Sequence, residues 1–162
     1  MQKSKNVFWI RTGMLTLGMI LILTGTVMAE SGAMKTSGQT LYVPVYSHIY
    51  SGDRERPVYL ATTVSIRNTD PSSNIRLVTV DYYDSAGKLV RHYLEKPVDL
   101  APLASIRYIV GESDKAGGSG ANFIIRWEST KPVSIPIAEG IMISTASQLG
   151  ISFTSRGQVI PE

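Results

Sequence analysis

Residues 75–94 read IRLVTVDYYDSAGKLVRHYL, and this stretch decides the fold. Two runs rich in β-branched and aromatic residues, IRLVTVDYYD and KLVRHYL, flank Ser85-Ala86-Gly87. That pattern predicts two antiparallel strands joined by a tight turn, where Gly87 can take a positive φ at no steric cost.

The same rhythm extends outward in both directions. Upstream, VYLATTVSIRNT (58–69) sets Val58, Leu60, Val64 and Ile66 on one face, and DPSSN (70–74) is turn chemistry. Further upstream, in LYVPVYSHIY (41–50), Leu41, Val43, Val45 and Ile49 alternate with Tyr42, Pro44, Tyr46, His48 and Tyr50, the period of a strand with one aliphatic and one aromatic face. Pro44 has no backbone donor, so this strand is expected at a sheet edge or with a bulge. The charged SGDRERP (51–57) separates these two strands.

Downstream, EKPVDLAPLAS (95–105) is a connector with two prolines, long enough to cross from one sheet to another. Four extended segments follow: SIRYIV (105–110), NFIIRWES (122–129), VSIPIAEGIMIS (133–144) and LGISFTS (149–155). No window repeats apolar residues at helical spacing over more than two turns. The expected fold is all-β, an immunoglobulin-like two-sheet sandwich of about seven or eight strands, with a small closed barrel as the alternative.

Residues 1–29 differ from the rest. Lys3, Lys5 and Arg11 form a positive head, the uncharged run TGMLTLGMILILTGTVM follows, and Val27 and Ala29 occupy the −3 and −1 places of a cleavage site. This is the pattern of a secretory signal peptide, and the expected location is the periplasm. Retained uncut, the same run would serve as an inner-membrane anchor, the membrane contact open to this chain. Residues 30–40 are small and polar, a flexible lead-in, so the β domain is expected over 41–162.

The chain has 16 Lys and Arg against 13 Asp and Glu, a formal charge of +3. All of the excess lies in the leader: three cations and no acidic residue precede Glu30. The remainder is neutral, which removes the electrostatic basis for binding nucleic acid. The absence of cysteine excludes disulfides, a thiolate nucleophile and a cysteine metal cluster.

Chemistry-bearing patterns are few. GGSGA (117–121) approaches a nucleophile elbow with Ser119 as the nucleophile and His48 or His92 with an Asp as partners, but its last glycine is alanine and a β-rich run follows where a helix is required. The phosphate-cradling spacings are missing too. What remains for this loop is a mobile binding loop, in which Gly117, Gly118 and Gly120 let a ligand approach and Asp114 and Asn122 offer oxygen ligands or hydrogen bonds, or else a plain flexible connection. Asp53, Glu112 and Asp114 could supply a calcium site in end loops, without any D-x-D-x-D motif to support it. Asp81 and Asp84 fall on opposite faces, and an inward Asp81 would pair with Arg91 across the hairpin. His48 and His92 read as packing residues, without H-x-x-x-H spacing for zinc. Neither a metal nor a cofactor is expected.

The aromatic stripe Tyr42, Tyr46 and Tyr50, with His48 between, suits a partner protein or a glycan, since tyrosines give large contact area at little entropic cost. Tyr82, Tyr83, Tyr93 and Tyr108 recur in strands that could neighbour it.

The blocks YVPVYSHIYSG, TVSIRNTD, VDYYDSAGKLVR, PLAS and GGSGANFIIRW resemble an uncharacterised bacterial family, domain of unknown function 3124, over Tyr42 to Phe153. The chain is similar to that family in its leader as well. The resemblance implies no reaction and no catalytic residue; it does imply that the glycine loop and the tyrosine strand belong to the family pattern. The functional expectation is an exported, non-catalytic binding module in the cell envelope, docking through Tyr42, Tyr46, His48 and Tyr50 together with the loop from Asp114 to Asn122. The rivals are a serine-type hydrolase and a membrane-anchored structural protein.

Overall fold

The computed structural model describes residues 34–145 and 150–161, and the leader lies outside them. Among the described residues there is no helix, and none long and apolar enough to cross a membrane. The chain forms β1 (Lys35–Pro44), β2 (His48–Ser51), β3 (Arg56–Tyr59), β4 (Ala61–Arg67), β5 (Ile75–Tyr83), β6 (Leu89–His92), β7 (Val98–Leu100), β8 (Ser105–Val110), β9 (Asn122–Ser134), β10 (Ile137–Ser144), β11 (Ile151–Arg156) and β12 (Gln158–Ile160).

These strands build an all-β sandwich. One sheet runs β12-β1-β9-β5-β6, with β7 also on β5; the other runs β11-β10-β4-β8; β2 and β3 pair only with each other. Every pairing is antiparallel. The expected segments are all present, joined by the short pieces β7 and β12, and by a hairpin where one strand was expected to run on.

Alternation sets the core. From β9, Phe123, Ile125 and Trp127 point inward, and from β5 Leu77, Val80 and Tyr82; β4 answers with Val64 and Ile66 and β8 with Tyr108 and Val110, all buried. Full burial of such a side chain stabilises by about 1.5–3 kcal/mol. Without disulfides, this core and the hydrogen bonds at its two ends hold the fold.

The hairpin at residues 75–94 forms as read. Gly87 has φ 77°, its N–H donates to Asp84 O, and the Asp84 carboxylate accepts from the N–H groups of Ala86 and Lys88. The connector 95–105 does cross between sheets, leaving β7 on the first and entering β8 on the second.

Several boundaries differ from the expectation: β9 runs on to Ser134 and takes the start of the segment read as 133–144, and the segment read as 58–69 divides into β3 and β4. β1 begins at Lys35, so the domain takes in most of the stretch read as lead-in; a bulge between Thr36 and Gly38 hides its periodicity. And the run 41–50 is not one strand. β1 ends at Pro44, which cannot donate to a ladder, and Val45 and Ser47 turn their N–H groups to Ala121 O and Gly118 O instead.

The opposite side is closed by one residue. Gly157 carries the chain from β11 in one sheet to β12 in the other, its N–H donating to Ala138 O. A side chain there would meet Ala138 O at 3.0 Å and Val43 at 3.1 Å.

Candidate functional site

The register places two loop clusters at opposite ends of the sandwich. β9 starts at Asn122 beside Pro44 and Tyr83 and finishes at Ser134 beside Lys35, so the turns near Asn122 form one end and those near Ser134 the other.

At the first end the glycine segment is tied down. Ser85 donates twice to Gly117 O, from its N–H at 2.9 Å and its hydroxyl at 3.0 Å, while Gly120 N–H donates to the same hydroxyl at 2.8 Å. Ser47 does likewise to Gly118 O, from N–H and hydroxyl, at 3.0 and 3.1 Å. Gly118 has φ 78°, open to glycine without strain. At Gly117 the reason for glycine is space, since a Cβ would sit 1.9 Å from the Tyr82 hydroxyl and 2.7 Å from the Ala121 Cβ. The loop is thus a clamp laid on the 84–88 turn, held at Gly117, Gly118 and Gly120 by bonds that the sequence readings of a mobile binding loop or a flexible connection did not include. Glycine was needed for contact, and the contact partners are distant in sequence.

Around this clamp lie the polar and aromatic groups. His48 has Nδ1 3.2 Å from the Ser47 hydroxyl and Nε2 3.2 Å from the Tyr50 hydroxyl, and its ring meets those of Tyr50 and Tyr59 edge-on. Lys115 stands 4.1 Å over the Tyr59 ring, a cation–π contact that joins the loop to the β2–β3 hairpin. Arg91 donates to the Asp114 carboxylate at 3.0 Å and to the Tyr93 hydroxyl at 3.2 Å, and Tyr93 donates to Ile109 O. Beneath them, burial, reinforced by the Asp114 carboxylate, pushes the Tyr82 phenol up to about 12. Burial also raises Tyr93 and Tyr108, so all three hydroxyls remain neutral at ordinary pH.

The structure divides the residues proposed from sequence. His48, Tyr50, Asp114, Gly117, Gly118 and Gly120 come together at this end, and Asn122 lies buried just below at the start of β9. Tyr42 does not join them: it sits within β1 opposite Ile124 and Gln158. Tyr46 packs edge-on against Phe153, ring centres 5.7 Å apart.

Other pairings are corrected as well. Asp81 is bonded to His92 Nδ1 at 2.8 Å, its cross-strand partner, whereas Arg91 lies opposite Tyr82 on the other face and reaches Asp114. Asp53, Glu112 and Asp114 are not gathered: no group of three or more His, Cys, Asp or Glu is placed to hold a metal ion among the described residues. After Ser119 the chain enters β9, so the strand–turn–helix setting of a nucleophile elbow is not built, and the two histidines are engaged elsewhere, on Tyr50 and on Asp81.

At the far end sequence reasoning missed a buried polar knot. Asn68 donates its amide to Ser73 O, Leu100 O and Ala101 O, and its side-chain oxygen accepts from Asp70 N–H. The Asp70 carboxylate accepts from Ser72 N–H and from Ser134 N–H, and these backbone bonds hold it well below the usual carboxylate range. The signal was NTDPSSN, whose Asx chemistry announces a turn without saying that the turn is buried.

The profile of the family described as protein of unknown function (DUF3124) matches residues 38–160. Among solved structures, a crystal structure of Thermotoga maritima 1070 is similar at 13% identity with a TM-score of 0.46, covering 76% of this chain and 95% of that one. No curated protein matches the chain. The match over most of its length makes this chain a member of the DUF3124 family.

Proposed function

We propose that this DUF3124 chain is an exported, non-catalytic binding module that engages a protein or glycan partner of the cell envelope through the clamp end of its sandwich. Export is supported by the sequence of residues 1–29, with its cationic head, apolar run and small residues before Glu30. Docking at the clamp end is supported by one observation above others. The β2–β3 hairpin belongs to neither sheet, and it carries His48, Tyr59 and a largely exposed Tyr50 on a base fixed by Ser47, Gly118 and Lys115. Rigid aromatics on a loop end lose little freedom on binding, which is what makes such sites economical for recognition.

Crosslinking in intact cells tests the reading. The native chain should capture a defined partner that a His48→Ala, Tyr50→Ala double variant loses, while the variant melts within a few degrees of the native chain. Capture unchanged by that variant would remove the docking site, and an N-terminus starting before Glu30 in the isolated protein would remove the cleaved leader.

A further inference from the structure

The outward face of the β12-β1-β9-β5-β6 sheet carries charged pairs, Asp81 on His92 and Arg76 near Glu128, among the half-buried Tyr42 and Ile124. The outward face of the β11-β10-β4-β8 sheet carries a row of more exposed aliphatic side chains. β10 points Ala138, Gly140, Met142 and Ser144 inward and Ile137, Glu139, Ile141 and Ile143 outward. Its larger aliphatic side chains mostly face away from the core.

The inward face has a plain reason. The end of β1 crosses close beneath β10, where a Cβ on Gly140 would meet Val45 at 3.2 Å and Pro44 O at 3.3 Å. No such reason applies to the outward isoleucines. Ile143 is 45% exposed, Ile137 37%, and Ile109 of β8, in the same cross-strand row as Thr63 and Ile141, 54%. A strand apolar on both sides is the pattern of a strand covered on both sides.

Charge says what covers it. Next to the isoleucine row runs the row Arg107, Ser65, Glu139, Arg156, with Arg67 beside it. The four strands of this sheet hold these three arginines and a single carboxylate, Glu139, which pairs with Arg67 at 3.4 Å. A second copy laid on the face would set arginine against arginine. A lipid surface is a poor match too, because the aromatic side chains of these four strands, Tyr108 and Phe153, pack on the inward face rather than outward to anchor it.

We infer that the outward face of the β11-β10-β4-β8 sheet is a second docking surface, taking an amphipathic segment of a partner protein whose aliphatic side chains are bordered by carboxylates. Ile109, Ile141 and Ile143 receive the aliphatic row, and Arg107 and Arg156 receive the carboxylates. This surface is distinct from the His48–Tyr50 hairpin, so either can fail without the other.

The test uses the whole chain and two labelled synthetic helical peptides of about 18 residues, long enough for five turns. Both carry one leucine face, bordered by glutamates in one and by lysines in the other, and binding is read by fluorescence anisotropy. The glutamate peptide should bind on the order of tenfold tighter than the lysine peptide, with the preference falling as salt rises. Arg107→Glu with Arg156→Glu should reverse the preference, and Ile141→Ser with Ile143→Ser should abolish binding of both; these positions are exposed or half-exposed, so a melting curve will show that the fold persists. Equal binding of the two peptides overturns the inference, as does a preference that survives either pair of substitutions. So would self-association of the chain, or adsorption to anionic vesicles, that is lost with Ile141→Ser and Ile143→Ser.

Discussion

The two ends of the sandwich solve one problem in opposite ways. Each must hide turn backbone without disulfides. At the knot end, small polar side chains are buried and the chain is wrapped around them: Asn68 and Asp70 reach carbonyl and amide groups of residues 72–73, 100–101 and 134. At the clamp end the side chains are deleted, and the glycine backbone is pressed onto Tyr82 and Ser85, where serine hydroxyls and amides meet its carbonyls. The first arrangement stakes stability on a few side-chain atoms; the second stakes it on empty space. The knot end therefore should fail by losing bonds, and the clamp end by gaining atoms.

The largest break comes at the knot. Asn68→Ala removes donors from three carbonyls and an acceptor from Asp70 N–H, and should cost about 3–4 kcal/mol in urea unfolding, since buried groups left unpaired carry the full desolvation penalty. Next, Gly117→Ala should cost about 2–3 kcal/mol, because even one methyl overlaps the Tyr82 hydroxyl and cannot move outward under Ser85. If Gly117→Ala is neutral, the clamp is looser than its geometry and the contrast collapses.

Ser85→Ala should cost about 1–2 kcal/mol, as Gly117 O keeps the Ser85 N–H while Gly120 N–H loses its acceptor. Acid sharpens the comparison further. The folded state lowers the Asp70 carboxyl, so its contribution is fully present above the ordinary carboxylate range and is lost as pH falls through the folded value. Melting temperature should decline from about pH 4 downward, and the decline should flatten in Asp70→Asn but not in Ser85→Ala. The smallest effect belongs to Arg91→Met. Its bond to Asp114 is half-exposed, and such pairs contribute about 0.5 kcal/mol or less, so this variant should match the native chain in unfolding.

What the sequence made legible follows the range of the forces involved. Alternation is local, so the 75–94 hairpin, the sandwich class and the crossing at residues 95–105 could be read directly. The strand break at Pro44 could not, because it depends on Val45 and Ser47 finding carbonyls more than 70 residues away. Partners some 32 to 35 residues away hid the purpose of Gly117 and the burial of Asn68 as well. Of the candidate site, the hairpin residues His48 and Tyr50 and the loop from Asp114 were legible as neighbours; that Tyr42 lies within β1 and Tyr46 against Phe153, apart from them, was not, because their partners are distant in sequence.

The pairing of β1 sets an order of events in time. It is the first strand of the domain to be made, yet its ladder neighbours are β9 and β12, which are among the later ones. No partial chain can complete that sheet, and the loop to be closed is nearly the full length of the domain. Folding of the domain should accordingly wait until β12 has been made and then run in milliseconds to seconds, the regime of long-range pairing. Trimming β12 should leave β1 as an unpaired sheet edge.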